Sequence, residues 1–255
     1  MDGAQAVIIA CLMPTYGRRR PVVANSIELF LRQTHHDKQL VGMEDGAPEP
    51  GRQGHPPLWC VTSCAARFGS LPTKYDVMWS PRSADAYAVW DDDDVYLPWH
   101  LDAHHSVLER HGWSKPSRVW TTAHGDLRKE PADGRFHGSI AIRRELLEQV
   151  GGWRGVMPEG EWGRADFDQR MLWALGRIEP PGDPCEIAEP SYVFRWADAG
   201  SQHCQGLMRS PDDESWYRRM KPGEPLTGIE PALDASAVQI LERLSRAGEE
   251  QRENQ

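Results

Sequence analysis

The sequence predicts a mixed α/β protein of the doubly wound type, with a mostly parallel sheet flanked by helices. Short apolar runs rich in β-branched residues alternate with segments that have helical spacing, the pattern of such sheets. Most of these runs end in polar or glycine-containing turns. The chain has 255 residues, 39% of them hydrophobic, enough for one large domain. It has no apolar stretch of about 18 residues, so no membrane-spanning helix is expected.

The first half of the chain predicts alternating strands and helices. Residues 7–12 (VIIACL) form a short apolar run typical of a buried parallel strand, and a turn at 13–17 follows. Residues 21–33 have apolar positions at helical spacing with a proline in the first turn. The further predicted elements are a strand at 38–43, a Pro/Gly-rich loop at 47–57, a helix at 72–80, a strand at 85–90 and a helix at 97–110.

The second half of the chain is less regular, and it shows no internal repeat. The predicted strands are 119–122, 136–142 and 191–196, and the predicted helices are 143–150, 166–175 and 235–246. Gly151 and Gly152 are a strong stop signal for the helix before them. In the helix at 97–110, His104 and His105 are expected to face solvent. The last residues, 248–255, are expected to be frayed.

Three polar clusters follow predicted strands: the turn after the first strand, residues 44–46, and Asp91–Asp94, here called the acidic run. In open α/β sheets, ligands bind outside the carboxyl ends of the strands. The sequence therefore predicts that these clusters converge on one edge of the sheet.

The acidic run follows the apolar strand at 85–90. In an extended chain, Asp91 and Asp93 share one side and Asp92 and Asp94 the other. Carboxylates this close repel each other, and a divalent cation relieves the repulsion. Carboxylate oxygens suit Mg²⁺ or Mn²⁺. A calcium EF-hand is excluded because Tyr96 stands where that loop needs glycine. A solvated acidic turn is the alternative.

Charge and cysteine content restrict the partners and the compartment. The net charge of −9 disfavours general nucleic-acid binding, which needs cationic groups that meet phosphates. Local basic patches at 18–20 and 216–221 keep that possibility open. The five cysteines are odd in number and include no CxxC pair, which favours reduced thiols and a cytoplasmic protein. The acidic N-terminus predicts a first strand rather than a signal peptide.

Several motifs together resemble family 2 glycosyltransferases, which have the GT-A fold. DDDDVYLPWHL resembles the DxD region of that family, and residues 7–46 resemble its first β-α-β unit. FHGSIAIRRELLEQVGGW resembles the acceptor-side strand and helix, ADFDQRM the motif that carries the catalytic base, and YVFRWADAGSQHC a closing segment. The resemblance covers roughly residues 5–206. The sequence also departs from the usual residues of that family at four places. It has Gly17 where the family usually has Asn, Glu44 where it has Asp, Tyr75-Asp76 where it has Arg-Asn, and Ala165 where it has Glu.

The resemblance implies a domain organisation. Residues 1–210 would form the GT-A glycosyltransferase domain, with a nucleotide-binding half at 1–100 and an acceptor half at 101–210. Residues 211–255 would form a partly helical extension.

The resemblance also implies a donor site. Pro14, Thr15 and Tyr16 would form the wall of the nucleotide base pocket. Asp45 would accept a hydrogen bond from the base imide, and Lys74 would meet the diphosphate or ribose. An ordinary turn or cap for the first four, and a surface lysine for the last, are the alternatives.

The acidic run would hold the donor and its metal. Asp91 and Asp92 would bind the nucleotide-diphosphate sugar, and Asp93 would bind Mn²⁺ or Mg²⁺, with His203 as a further ligand or a structural histidine. The metal would neutralise charge on the leaving nucleoside diphosphate.

Asp166 would be the catalytic base that takes the proton of the acceptor hydroxyl in an inverting displacement, and Asp168 is the competing candidate. Trp153 and Trp162 flank this region, where they could stack on a sugar or a base, or pack in the core.

The function implied is transfer of a hexose from a nucleotide-diphosphate sugar, with UDP-sugars favoured because Asp45 suits uracil. A saccharide or small molecule is expected as acceptor before a hydroxylated nucleic-acid base. A sugar-phosphate nucleotidyltransferase and a non-catalytic carbohydrate-binding protein on the same fold are the alternatives.

Overall fold

The computed structural model describes residues 7–15, 20–47, 50–65, 68–80, 83–123, 125–161, 166–195 and 228–253. The strands are β1 (Ile9–Thr15), β2 (Lys38–Asp45), β3 (Gly51–His55), β4 (Trp59–Cys64), β5 (Ala86–Val89), β6 (Val95–Tyr96), β7 (Trp113–Ser114), β8 (Arg118–Thr121), β9 (Arg128–Pro131), β10 (Ala141–Arg143) and β11 (Tyr192–Phe194). The α-helices are α1 (Arg20–Leu31), α2 (Leu71–Trp79), α3 (His100–Leu108), α4 (Arg144–Val150), α5 (Gly152–Gly155), α6 (Phe167–Ile178) and α7 (Ala235–Glu253).

A seven-stranded, mostly parallel sheet forms the centre of the fold, in the order β3-β4-β2-β1-β5-β10-β7. Strands β4, β2, β1 and β5 run parallel, while β3 and β10 run antiparallel to their neighbours. Helices cover both faces, so the predicted mixed α/β class is confirmed.

Strand β1 lies at the middle of the sheet because its side chains are apolar on both faces. Ile9, Cys11 and Met13 face a core that includes Ile27 and Phe30 of α1. The alternate residues, Ala10 and Leu12, belong to the opposite core, which α2, α4 and α6 also line. Burial on both faces explains the continuous apolar run of a parallel strand.

A second sheet of four short strands, in the order β6-β11-β8-β9, begins directly after the acidic run. Its first strand, β6, pairs antiparallel with β11, with Val95 opposite Val193. The acidic run therefore connects the end of β5 in the large sheet to the start of the small sheet.

Some sequence predictions are wrong in detail. The segment at 47–57 is not only a loop, since β3 pairs antiparallel with β4, a strand that the sequence did not indicate. The segment at 136–142 begins with a 3₁₀ turn at His137–Ser139 rather than a strand. Helix α3 is shorter than predicted, and its His104 is fully buried instead of solvent-facing.

The C-terminal helix α7 packs on the main core. Its residues Ala237, Ile240 and Leu244 belong to the same buried cluster as Ile27 and Phe30. The helix continues past the predicted end at residue 246 to Glu253. Within the described parts of the chain, no helix combines the length and apolar character needed to cross a membrane.

Candidate functional site

The carboxyl ends of β1, β2 and β5 meet at one edge of the large sheet, as the sequence predicts. Thr15 at the end of β1 donates its hydroxyl to Asp92 Oδ2 at 2.6 Å. Lys74 Nζ donates to the backbone carbonyl of Thr15 at 2.5 Å and to Asp45 Oδ1 at 2.5 Å. Side chains from three strand ends and one helix thus form one connected cluster.

The Lys74–Asp45 pair is buried, with 2% and 1% of the two side chains exposed. The backbone N–H of Phe68 donates to the second carboxylate oxygen of Asp45 at 3.2 Å. Burial lowers the pKa of Lys74, and the charge of Asp45 opposes that effect. Lys74 reaches this position from α2, whose N-terminus is capped by the Ser70 side chain. The pair places a carboxylate and an ammonium group side by side and ties α2 to the ends of β1 and β2.

Asp91 is held at the junction between β5 and the small sheet. Its carboxylate accepts a hydrogen bond from the Tyr75 hydroxyl at 3.3 Å, and its backbone N–H donates to the Tyr96 hydroxyl at 2.7 Å. Tyr96 in turn donates to the Gly138 carbonyl at 3.1 Å. Gly138 lies so close that a Cβ there would stand 2.3 Å from Asp91 Oδ2. The close approach explains the need for glycine at 138.

Asp94 faces the interior. Its carboxylate accepts hydrogen bonds from the Tyr192 hydroxyl and from the backbone N–H of Arg195, the latter at 2.9 Å. Burial raises the pKa of Asp94 well above its usual value, and the charges of Asp93 and Asp91 raise it further. The run forms a turn rather than an extended strand, so side-chain alternation does not describe it. Asp92 contacts β1, whereas Asp94 contacts β11.

The donor set of the acidic run fits a hard divalent cation. Within the described residues, no group of three or more His, Cys, Asp or Glu side chains could hold a metal alone. Asp94 is bound inward and Asp92 accepts from Thr15, so these two carboxylates have protein partners on opposite sides of the run. One or two carboxylates completed by substrate phosphates is the usual way in which proteins hold Mg²⁺. The arrangement therefore fits a cation that binds together with a phosphate-bearing substrate.

An aromatic cluster that includes Tyr75, Trp153 and His137 supports Asp91. Tyr75 stacks on Trp153 with ring centroids 4.7 Å apart, and Trp153 Nε1 donates to His137 Nε2 at 3.0 Å. Burial lowers the pKa of His137 to about 3, and the charge of Lys115 lowers it further. His137 is therefore neutral and accepts at Nε2. Trp153 is fully buried, so it packs in the core and does not offer a stacking face.

Both candidate bases lie at the start of α6. Asp166 precedes the helix, and its Oδ2 accepts from Arg170 Nε at 3.0 Å. Burial raises the pKa of Asp168, and the charge of Asp166 adds to the shift. Phe167 lies between them in the sequence, and its ring centroid is 5.6 Å from that of His137 in the aromatic cluster. The structure thus places this helix end beside the residues that support Asp91.

The remaining candidates divide into two groups. Pro14 lies in β1, half-buried and paired with Met43 of β2. Tyr16, His203 and Trp162 lie outside the described residues, as do the basic patch at 216–221 and the first two arginines of the patch at 18–20. Sequence reasoning missed Gly138 and Arg195 as site residues, although both belong to segments that carry the family resemblance.

Known structures share this fold. The structure of S. aureus TarS 1-349 in complex with UDP superposes with a TM-score of 0.54 at 11% identity, and covers 74% of this chain and 61% of that chain. The complex of TarS 1-349 with UDP-GlcNAc has a TM-score of 0.53 at 12% identity, and covers 77% and 60%. This chain thus spans about 60% of the TarS 1-349 chain.

No family model matches the sequence, and a search of curated proteins finds no similar sequence. At such low identity the TarS similarity shows the fold alone, which is the mixed α/β architecture with a mostly parallel sheet.

Proposed function

We propose that the protein transfers a sugar from a UDP-sugar to an acceptor hydroxyl, as an inverting, metal-dependent glycosyltransferase. The observation that carries this proposal is the single polar cluster that joins Lys74, Asp45 and the acidic run through Thr15 at the carboxyl edge of the sheet. TarS, which shares the fold, has structures in complex with UDP and with UDP-GlcNAc, and these support a nucleotide-sugar donor.

The nucleotide half of the donor would lie against the Lys74–Asp45 pair. The uracil imide edge presents an N–H donor between two carbonyl acceptors, so the carboxylate can accept from the N–H. Thr15, with Pro14 and Tyr16, would form the wall of this base pocket. Lys74 would approach the ribose or diphosphate from the same buried position.

The diphosphate would lie at the acidic run. Asp93, with Asp91 and with His203 as a further candidate, would hold Mn²⁺ or Mg²⁺. When bound, the cation would supply positive charge that stabilises the leaving nucleoside diphosphate. Asp92 would stay bound to Thr15 and keep the run against β1.

The acceptor would approach from the start of α6. Asp166 would take the hydroxyl proton while the acceptor oxygen bonds to the anomeric carbon and the nucleoside diphosphate leaves from the opposite face. Asp168 is the alternative base, and burial raises its pKa above the usual value, which makes its carboxylate more basic. A single displacement of this kind inverts the anomeric centre.

We expect a saccharide or small molecule as acceptor. Trp173 on α6 is 57% exposed, and its indole N–H lies 2.9 Å from the side-chain amide of Gln169, whose oxygen accepts from it when the amide is turned toward the indole. An exposed indole can stack on the apolar face of a sugar ring. Its position on the helix that begins at the candidate bases supports a saccharide.

A thermal-shift screen of nucleotide-diphosphate sugars, each with and without Mn²⁺, tests the proposal. A ligand that binds only the folded state raises the melting temperature by mass action. We expect a UDP-sugar to raise it in the presence of Mn²⁺, and Asp93→Ala to abolish the metal-dependent part. Asp126→Ala, which removes an exposed carboxylate paired with Arg128, is the control. The proposal fails if no nucleotide sugar shifts the wild-type protein.

A further inference from the structure

Arg195, which directly follows β11, contacts the acidic run from the interior. Its side chain is 1% exposed. Its backbone N–H donates to Asp94 Oδ1 at 2.9 Å, and its Nε donates to the backbone carbonyl of Asp93. One residue next to the small sheet therefore contacts both the inward carboxylate and the main chain of the run.

The guanidinium of Arg195 is itself held by a residue of the C-terminal segment. Its Nη1 donates to Asp234 Oδ2 at 2.7 Å. The other oxygen of Asp234 accepts from the backbone N–H of Ala237 at 2.7 Å, in the first turn of α7. The backbone N–H of Asp234 donates to Asn25 Oδ1 on α1 at 3.0 Å. Asp234 thus joins two helices to the arginine that holds the acidic run.

The chemistry of arginine makes this connection directional. A guanidinium is planar and presents its donors in a fixed fork, so a partner on one side determines where the other donors point. A folded protein is strongly destabilised when a buried cation loses its carboxylate partner. Asp234 therefore supports both the charge of Arg195 and the orientation of the Nε–H that binds Asp93.

We propose that Arg195 is a positioning residue for the acidic run and that Asp234 keeps it in place, so that the N-terminus of α7 controls how the run binds the metal and diphosphate. This inference rests on the proposed function, because it assigns to the run a ligand whose binding the linkage improves. It extends the site by a segment that lies more than 130 residues beyond the acidic run in the sequence.

Two substitutions test the linkage without removing the helix cap. Serine caps helices about as well as aspartate but is too short to reach the guanidinium, so Asp234→Ser separates capping from the ion pair. Arg195→Lys retains the charge and loses the fork. Asp126→Ser is the matched control. It removes an exposed carboxylate that pairs with Arg128, and this ion pair is distant in sequence from both Arg195 and Asp234.

Hydrogen exchange by mass spectrometry and the affinity for UDP, with and without Mn²⁺, are the two measurements. In both variants we expect faster exchange at residues 91–96 and unchanged exchange in β1. We expect roughly tenfold to hundredfold weaker Mn²⁺-dependent UDP binding, the effect typical of residues that orient metal ligands. The control should match the wild type in both measurements.

Unchanged exchange at residues 91–96 in Asp234→Ser overturns the linkage. Faster exchange with unchanged Mn²⁺-dependent affinity overturns the positioning role. A wild-type protein that binds no UDP-sugar refutes the proposed function instead, and the exchange data distinguish that result from failure of the Arg195–Asp234 connection.

Discussion

Removing the cation of the buried Lys74–Asp45 pair should destabilise the protein strongly. In Lys74→Met, a methionine of similar length replaces the ammonium, and the carboxylate of Asp45 remains buried with its partner lost. The two side chains are 2% and 1% exposed and lie 2.5 Å apart. Breaking a pair this deeply buried costs about 3–5 kcal/mol, because an uncompensated charge remains.

The magnitude can be checked by unfolding. For a protein of this size, about 1 kcal/mol corresponds to about 2–4 °C in melting temperature, so the variant should melt about 6–20 °C lower. Lys129→Met is the matched control, since Lys129 pairs with Glu189 at 2.5 Å but on the surface. It should lose about 1 kcal/mol or less. A loss this small in Lys74→Met as well would refute the argument from burial.

A double variant separates stability from binding. In Lys74→Met/Asp45→Leu, both charges are replaced by apolar groups, and such replacements of buried pairs are often neutral in stability. We expect urea unfolding to show that the double variant regains most of the stability that Lys74→Met loses. We expect it to bind no UDP, because both polar groups of the proposed base site are gone. Recovery of UDP binding in the double variant would contradict the role of the pair in the donor site.

Three further predictions concern two buried histidines and the candidate site. Burial lowers the pKa of His104 and of His137 to about 3, so both are neutral in the folded protein and gain protons near pH 6.5 when unfolded. The contribution of the two neutral histidines to the free energy of unfolding is complete above about pH 6.5. It is lost as the pH falls toward 3, at about 1.4 kcal/mol per histidine per pH unit. Replacing both by glutamine should therefore flatten the decline of the free energy of unfolding, measured in urea, between pH 7 and 5. Gly138→Ala would place a methyl group 2.3 Å from Asp91 Oδ2. The resulting displacement of Asp91 should lower turnover about a hundredfold, and turnover equal to that of the wild type would contradict this prediction. Asp166→Asn should remove transfer and keep donor affinity, whereas the same kinetics in Asp168→Asn alone would move the base to Asp168.

The β-α-β alternation and the edge at which polar clusters meet could be predicted from the sequence because both depend on local patterns. A continuous apolar run such as β1 must be covered on both faces, which requires a parallel sheet with helices on each side. Once the strands are parallel, Thr15, Asp45 and the acidic run must lie at the same edge, since each follows the carboxyl end of a strand.

Other elements could not be predicted because their stability comes from neighbours. Strand β3 contains two glycines, has no apolar alternation and is largely exposed, so only its pairing with β4 makes it a strand. The sequence predicts that His104 is a surface residue of a polar helix. It is buried because α3 lies against β7, where its Nδ1 bonds to the Ser114 hydroxyl at 2.8 Å.

By itself the sequence determined the class of fold and the edge of the sheet that carries the polar groups, the acidic run among them. These features follow from hydrophobic periodicity and from the fixed direction of parallel strands. Only the tertiary structure decided which aspartate faces inward, why residue 138 is a glycine, and that Asp234 holds Arg195 against the run. Those outcomes depend on hydrogen bonds and close contacts between residues tens to more than a hundred positions apart, for which local sequence carries no signal.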